Sequence, residues 1–226
     1  MEKFKSMIGS AAIFCMLLVV VSCNMDETAN SPDLGNDNIK LVKPGIPVPA
    51  DYIPGKVNAR ENWMAGEGWA KAYEIPYYTE VFGGIQETYS FEATLKAGEI
   101  SGTFEVTDYF ELFDQTNWVK GEVTCMVFED DCKTVRITGI ITDSDDPNNI
   151  GDFAYWIAED NGNGGLDAST DIRWGMSQEA AEYHCEFGFT KEEFDLAGFS
   201  LFLPTEGNIK VKSLDCNGNV TGDHGN

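Results

Sequence analysis

Residues 118–141 read WVKGEVTCMVFEDDCKTVRITGII. Val119, Val123, Cys125 and Val127 fall at even spacing among polar neighbours, and Val135, Ile137 and Ile141 do so again after Glu129-Asp130-Asp131. Side chains of a strand alternate between two faces, so each set lies on one face. An acidic triplet between two such runs is a turn. The stretch is therefore an antiparallel hairpin.

The same period continues on both sides. Upstream, Phe91, Ala93 and Leu95 alternate with polar residues, and Phe104 and Val106 repeat the pattern within Ile100–Val106. Downstream come a polar turn over Asp143–Gly151, a strand over Asp152–Glu159, a glycine-rich turn over Asn161–Gly165 and a strand over Thr170–Trp174. Ile209 and Val211 mark a closing strand. One helix signal interrupts the series: Thr190-Lys191-Glu192-Glu193 has capping-box spacing ahead of Phe194 and Leu196. Residues 63–226 thus read as a single all-β domain, an antiparallel barrel or sandwich of about 8–10 strands with one short helix.

The first residues carry a different signal. Lys3 and Lys5 precede an apolar run over Ala11–Val21, which ends in Val20-Val21-Ser22-Cys23. The run is short for a stable span of ~20 residues, and a small residue stands before the cysteine. This resembles a bacterial lipoprotein signal peptide over residues 1–22. The resemblance implies cleavage before Cys23, diacylation of its sulfur with palmitate-type chains, and membrane attachment through more than one chain. Asp26 and Glu27 resemble the acidic sorting signal by which some outer-membrane lipoproteins reach the cell surface. Residues 23–62, rich in Asn, Asp, Gly and Pro, read as the lipidated cysteine and a flexible, disordered tether, since Pro32, Pro44, Pro47, Pro49 and Pro54 prevent regular structure.

Charge excludes some partners. The chain of 226 residues holds 38 Asp+Glu against 15 Lys+Arg, a formal net charge of -23, and losing Lys3, Lys5 and Glu2 with the signal makes the mature chain more acidic still. Nucleic acid binding is built on clustered Lys and Arg, so nucleic acid is excluded as a partner.

Across Gly66–Lys212 the ordered pieces Gly66-Glu67-Gly68-Trp69, Thr88–Leu95, Gly102-Thr103-Phe104, Val119–Cys125, Val135–Gly139, Glu159-Asp160-Asn161-Gly162 with Asp167, Cys185 and Gly207–Val211 resemble a recurrent secreted bacterial β domain of no assigned function. That resemblance implies a fold and a compartment, and carries over no catalytic residue. The long acidic loops, Cys132 and Cys216 depart from it. Of six cysteines, Cys15 leaves with the signal and Cys23 takes lipid, and the remaining four allow three pairings. Outside the cytoplasm these are disulfides. Cys125 sits on the inward face of Val123 and Val127 while Cys132 is out of phase, which disfavours their direct union. The resemblance implies Cys125 with Cys185, leaving Cys132 with Cys216.

No catalytic signature is present. His184 and His224 are the only histidines, and no serine sits in a nucleophile elbow. A carboxylate pair for glycoside hydrolysis is defined in space and has no sequence mark. The leading expectation is noncatalytic binding of a glycan or a protein partner, with a hydrolase as the alternative. Aromatic side chains able to stack on sugars are Trp63, Trp69, Tyr73, Tyr77, Tyr78, Trp118, Trp156 and Trp174, and core filling is the competing role for most of them. Trp156 is out of phase with Phe153, Tyr155 and Ile157, so either it faces outward as a ligand-binding ring or its strand is buried on both sides.

The last candidate is calcium. Glu159, Asp160, Asn161, Asn163, Asp167 and Asp171 bring oxygens to a glycine-rich loop, and Ca²⁺ takes about six to eight such ligands. An EF-hand is excluded, because its first ligand is Asp and its twelfth Glu, where this loop has Glu159 and Thr170. The competing reading is a turn whose Asp160 and Asn161 bond their own backbone.

Overall fold

The computed structural model describes residues 45–52, 67–80, 83–162, 165–197, 203–204 and 207–213. Among them ten strands form one antiparallel sheet: β1 (Gly68–Thr79), β2 (Ile85–Lys96), β3 (Glu99–Phe110), β4 (Gln115–Phe128), β5 (Thr134–Ser144), β6 (Phe153–Glu159), β7 (Ala168–Ser169), β8 (Arg173–Met176), β9 (Leu203–Pro204) and β10 (Ile209–Ser213). The order across the sheet is β10-β1-β2-β3-β4-β5-β6-β7-β9, with β8 also paired to β6. The sheet curls into a nearly closed barrel, bringing β10 alongside β6. The expected all-β architecture and the hairpin at residues 118–141 are both present.

Period-two patterning fills the interior. Ala70, Ala72, Ile75, Tyr77, Tyr89, Phe91, Ala93, Leu95, Phe104, Val106, Val119 and Val123 all point into one core. Burial of this apolar surface stabilises the barrel at roughly 25 cal/mol per Å². Two glycines shape the centre. A Cβ on Gly121 or Gly139 would overlap the Phe104 ring, so both strands cross close beneath it.

Two face assignments are corrected. The register of β4 against β5 shifts between Val123 and Cys125, and a bulge of this kind moves later residues to the opposite face. Inward positions thereafter are Met126 and Phe128, whereas Cys125 points outward. Trp156 is not an outward ligand-binding ring. It is 0% exposed and packs in the barrel with ring centroids 5.4 Å from both Phe91 and Phe104. The second alternative for its strand holds: Tyr155 and Ile157 face the other way, into a separate apolar layer with Met176, Ala180, Phe189 and Phe194.

That layer is made by two helices, α1 (Gln178–Glu186) and α2 (Lys191–Leu196). The capping box at α2 is reciprocal: the Glu193 N–H donates to Thr190 Oγ1 (3.2 Å) and the Thr190 N–H donates to Glu193 Oε2 (2.7 Å). The reading of a single helix is corrected by α1, which starts at Ser177, whose Oγ accepts from the Ala180 N–H (3.2 Å). Part of the stretch read as tether belongs to the same layer. Residues 45–52 form a strap in which Ile46 is 4% exposed and donates its N–H to Tyr155 Oη (3.1 Å). Tyr52 packs edge-on against Tyr183 at 5.2 Å.

The layer is pinned by three further devices. Cys125 and Cys185 form a disulfide with Cα atoms 6.4 Å apart, tying β4 to α1. Arg136 on β5 donates from its guanidinium to His184 O (2.8 Å), at the helix end where carbonyls lack intrahelical partners. His184 is fully buried; its Nδ1 accepts from the Phe189 N–H (3.2 Å), so Nε2–H is the donor to Trp156 O (3.2 Å). Burial, with the nearby Arg136 charge, lowers its pKa to about 3 and keeps it neutral. Cys132 is disulfide-bonded too; Cys216, the partner expected for it, lies outside the described residues, as does Cys23.

Candidate binding face

The helix layer covers β5, β6 and the end of β4 that carries Cys125, and leaves the outer face of β1–β3 and of β4 up to Thr124 to solvent. β2 and β3 alternate buried and solvent-facing residues over most of their length. Their outward residues form cross-strand rows. One runs Lys71, Glu92, Thr103, Glu122, and the next runs Ser90, Glu105, Lys120. Beside Ser90, β1 carries a bulge between Ala72 and Ile75, with Glu74 at φ 51°. Tyr73 continues the outward series of Trp69 and Lys71, the extra residue Glu74 turns Ile75 and Tyr77 inward after it, and Tyr73 is 56% exposed, where its Oη–H donates to Glu92 Oε2 (3.3 Å).

These rows border a shallow depression of about 320 Å³ lined by Tyr73, Ser90, Glu92, Thr103, Glu105 and Lys120. Lys120 Nζ pairs with Glu105 Oε1 at 3.0 Å and lies 5.6 Å from the centre of the Trp118 ring. Both partners of that pair are about half exposed, so it orders the surface more than it stabilises the fold. Trp69 and Trp118 are half-buried, each lying along the sheet beneath a lysine. The face therefore combines aromatic rings with carboxylates and hydroxyls that can accept or donate hydrogen bonds. Of the aromatic candidates, Tyr77, Trp156 and Trp174 are core residues, and Trp63 lies outside the described residues.

Inside the barrel a second group of polar side chains lies in one row. Glu87 on β2 faces Asp108 on β3, which faces Asn117 on β4. Glu87 and Asp108 are 1% and 0% exposed. Each bonds the segment that runs antiparallel beside β6 as β7 and β8: Glu87 Oε1 accepts from the Ile172 N–H (3.0 Å), and Asp108 Oδ2 accepts from Trp174 Nε1–H (2.7 Å). Arg173 Nε pairs with Asp171 Oδ1 at 3.2 Å beside them. The two carboxylates are register neighbours, and both are closed off from the protein surface.

The loop that offers oxygens for calcium has other partners. Lys133 Nζ donates to Glu159 Oε1 (2.7 Å) and to Asn161 Oδ1 (2.7 Å), so an ammonium occupies that corner. Asp160 Oδ1 accepts from the Gly162 N–H (2.8 Å) and Oδ2 from the Val211 N–H (3.1 Å). Asp167 Oδ1 accepts from the Asn161 N–H (3.0 Å) and Oδ2 from the Ile209 N–H (2.8 Å). Ile209 and Val211 belong to β10, which among the described residues has a backbone ladder with β1 alone. The two aspartates thus close the barrel seam, supplying acceptors where the next strand's carbonyls would stand. Burial pushes the Asp167 carboxyl above the ordinary range, against the pull of its two N–H donors. Asp171 is engaged with Arg173, and Asn163 lies outside the described residues. Among the described residues no three His, Cys, Asp or Glu side chains gather as a metal-holding group.

Comparison of the chain with family models, with curated proteins and with solved structures gave no match.

Proposed function

We propose that this is a lipoprotein of the cell envelope, attached to the outer membrane through acylated Cys23 and surface-exposed, whose β domain binds a glycan without catalysis through the outer face of β1–β4. The observation that carries the reading is Tyr73, more than half exposed at the rim of a polar depression. Sugars present C–H faces that stack on aromatic rings and hydroxyls that pair with carboxylates, and the face supplies both. The hydrolase alternative has the Glu87–Asp108 pair in its favour, but both carboxylates are buried and already bond Ile172 and Trp174 on the segment beside β6.

A polysaccharide array probed with the full chain in detergent tests the proposal. The expected result is a hit that Tyr73→Ala and Trp118→Ala each weaken about tenfold or more, with melting temperature little changed, as for surface truncations. Absence of any hit across plant, host and microbial polysaccharides overturns glycan binding and leaves a protein partner for this face.

A further inference from the structure

The outward residues of β10 are Lys210 and Lys212, alternating with buried Ile209, Val211 and Ser213. In the register, Lys71 of β1 stands directly opposite Lys210, and Trp69 opposite Lys212. Like charges in a directly opposed pair destabilise a sheet. Their presence here is notable because acidic residues outnumber basic ones 38 to 15, so opposite-charge pairing was readily available to the chain. The Lys71 ammonium lies 5.1 Å from the Trp69 ring centre and 5.9 Å from that of Tyr73, which holds it over the aromatic pair. One carboxylate, Glu92, faces Lys71 from β2, and it accepts from Tyr73 Oη. Three lysines beside two rings therefore form a basic strip next to the depression, on a protein that is acidic as a whole.

We propose that this strip is the subsite for the acid group of a uronate-containing polysaccharide. The inference rests on the glycan reading and names its class. A carboxylate set between Lys71 and Lys210 relieves their repulsion, while the pyranose ring that bears it lies against Tyr73. The net negative charge of the chain repels anionic polymers at a distance, so selectivity arises at contact and is read by comparing polymers at one salt concentration.

The test is affinity electrophoresis of the full chain in detergent through gels containing polygalacturonate, alginate or hyaluronate, against galactan and dextran. Retardation by at least one uronate polymer about tenfold stronger than by the neutral ones is expected. Lys210→Gln with Lys212→Gln removes that preference, whereas Tyr73→Ala lowers all retardation. Retardation by neutral polymers alone, or a preference unchanged in the lysine variant, overturns the acid subsite and leaves glycan binding standing. Retardation by none of the five, together with an empty array, overturns both.

Discussion

One side of this barrel is bare and the other is clad. On β1–β3 one face meets the core and the other meets water, so buried and exposed residues alternate. On β5 and β6 both faces are covered, and the burial pattern of β6 is nearly continuous. The cladding holds a disulfide, a buried neutral histidine and an arginine at a helix end. The bare side holds exposed lysines, carboxylates and rings that contribute little to the core. Stability is thus concentrated where the sheet is covered twice, and the once-covered face can carry residues chosen for a ligand.

Two tryptophans measure the contrast. Trp156→Ala removes the ring that fills the space between Phe91 and Phe104, and should cost about 3–5 kcal/mol in denaturant unfolding. Trp118→Ala on the bare side should cost within about 1 kcal/mol while reducing glycan binding. Comparable losses of stability at the two positions would break the distinction between a structural and a binding side. Next in size is the Cys125–Cys185 bond, whose loss as Cys125→Ser with Cys185→Ser should lower stability by about 2–4 kcal/mol and leave polysaccharide binding intact.

How far the sequence announces each side follows from the same contrast. Alternation in Phe91, Ala93 and Leu95 or Phe104 and Val106 is legible because water selects polar residues on the opposite face. In β6 that selection is absent, and Tyr155 and Ile157 resemble a core face although they pack with residues of α1 and α2. Cys125 keeps the parity of Val123 in the sequence and loses it in space, since one bulge residue resets the count. The bulge that turns Ile75 and Tyr77 inward is equally silent, for Glu74 is not a residue that advertises positive φ. Helix α1 did leave a mark: Ser177 precedes Gln-Glu-Ala-Ala-Glu, a capping residue ahead of good helix formers. Asp160 and Asp167 suggest a cation because a sequence shows acceptors and not their donors. Their donors on β10 lie 51 and 42 residues further along.

The seam gives a prediction of intermediate size. Asp160→Ala or Asp167→Ala strands a β10 N–H, which should cost about 1–3 kcal/mol. If the aspartates act only as seam acceptors, that cost is the same in chelator and in millimolar Ca²⁺. A wild-type melting temperature raised by Ca²⁺, with the rise lost in both variants, would instead assign these oxygens to an ion.

The smallest effect comes from His184 and depends on pH. Its folded pKa is lowered from 6.5 to about 3 because burial, aided by the neighbouring Arg136 charge, disfavours the imidazolium. Below pH 6.5 the unfolded chain takes up a proton at this residue that the native state refuses, so unfolding is favoured as pH falls towards 3. Above pH 6.5 both states are neutral and the contribution vanishes. At pH 5.5 the penalty relative to pH 7.5 is on the order of 1 kcal/mol. The excess of carboxylates pushes the other way, since their protonation relieves self-repulsion, and the total pH profile therefore mixes the two. The informative quantity is the difference in slope between wild type and His184→Gln over pH 4–7, because glutamine keeps a donor and an acceptor but does not titrate. A shallower loss of stability with falling pH is expected in the variant, whatever its stability at pH 7.5. Identical slopes, or an imidazole that titrates near 6.5 in the folded protein by NMR, would show that the clad side admits water and that the contrast between the two sides is overstated.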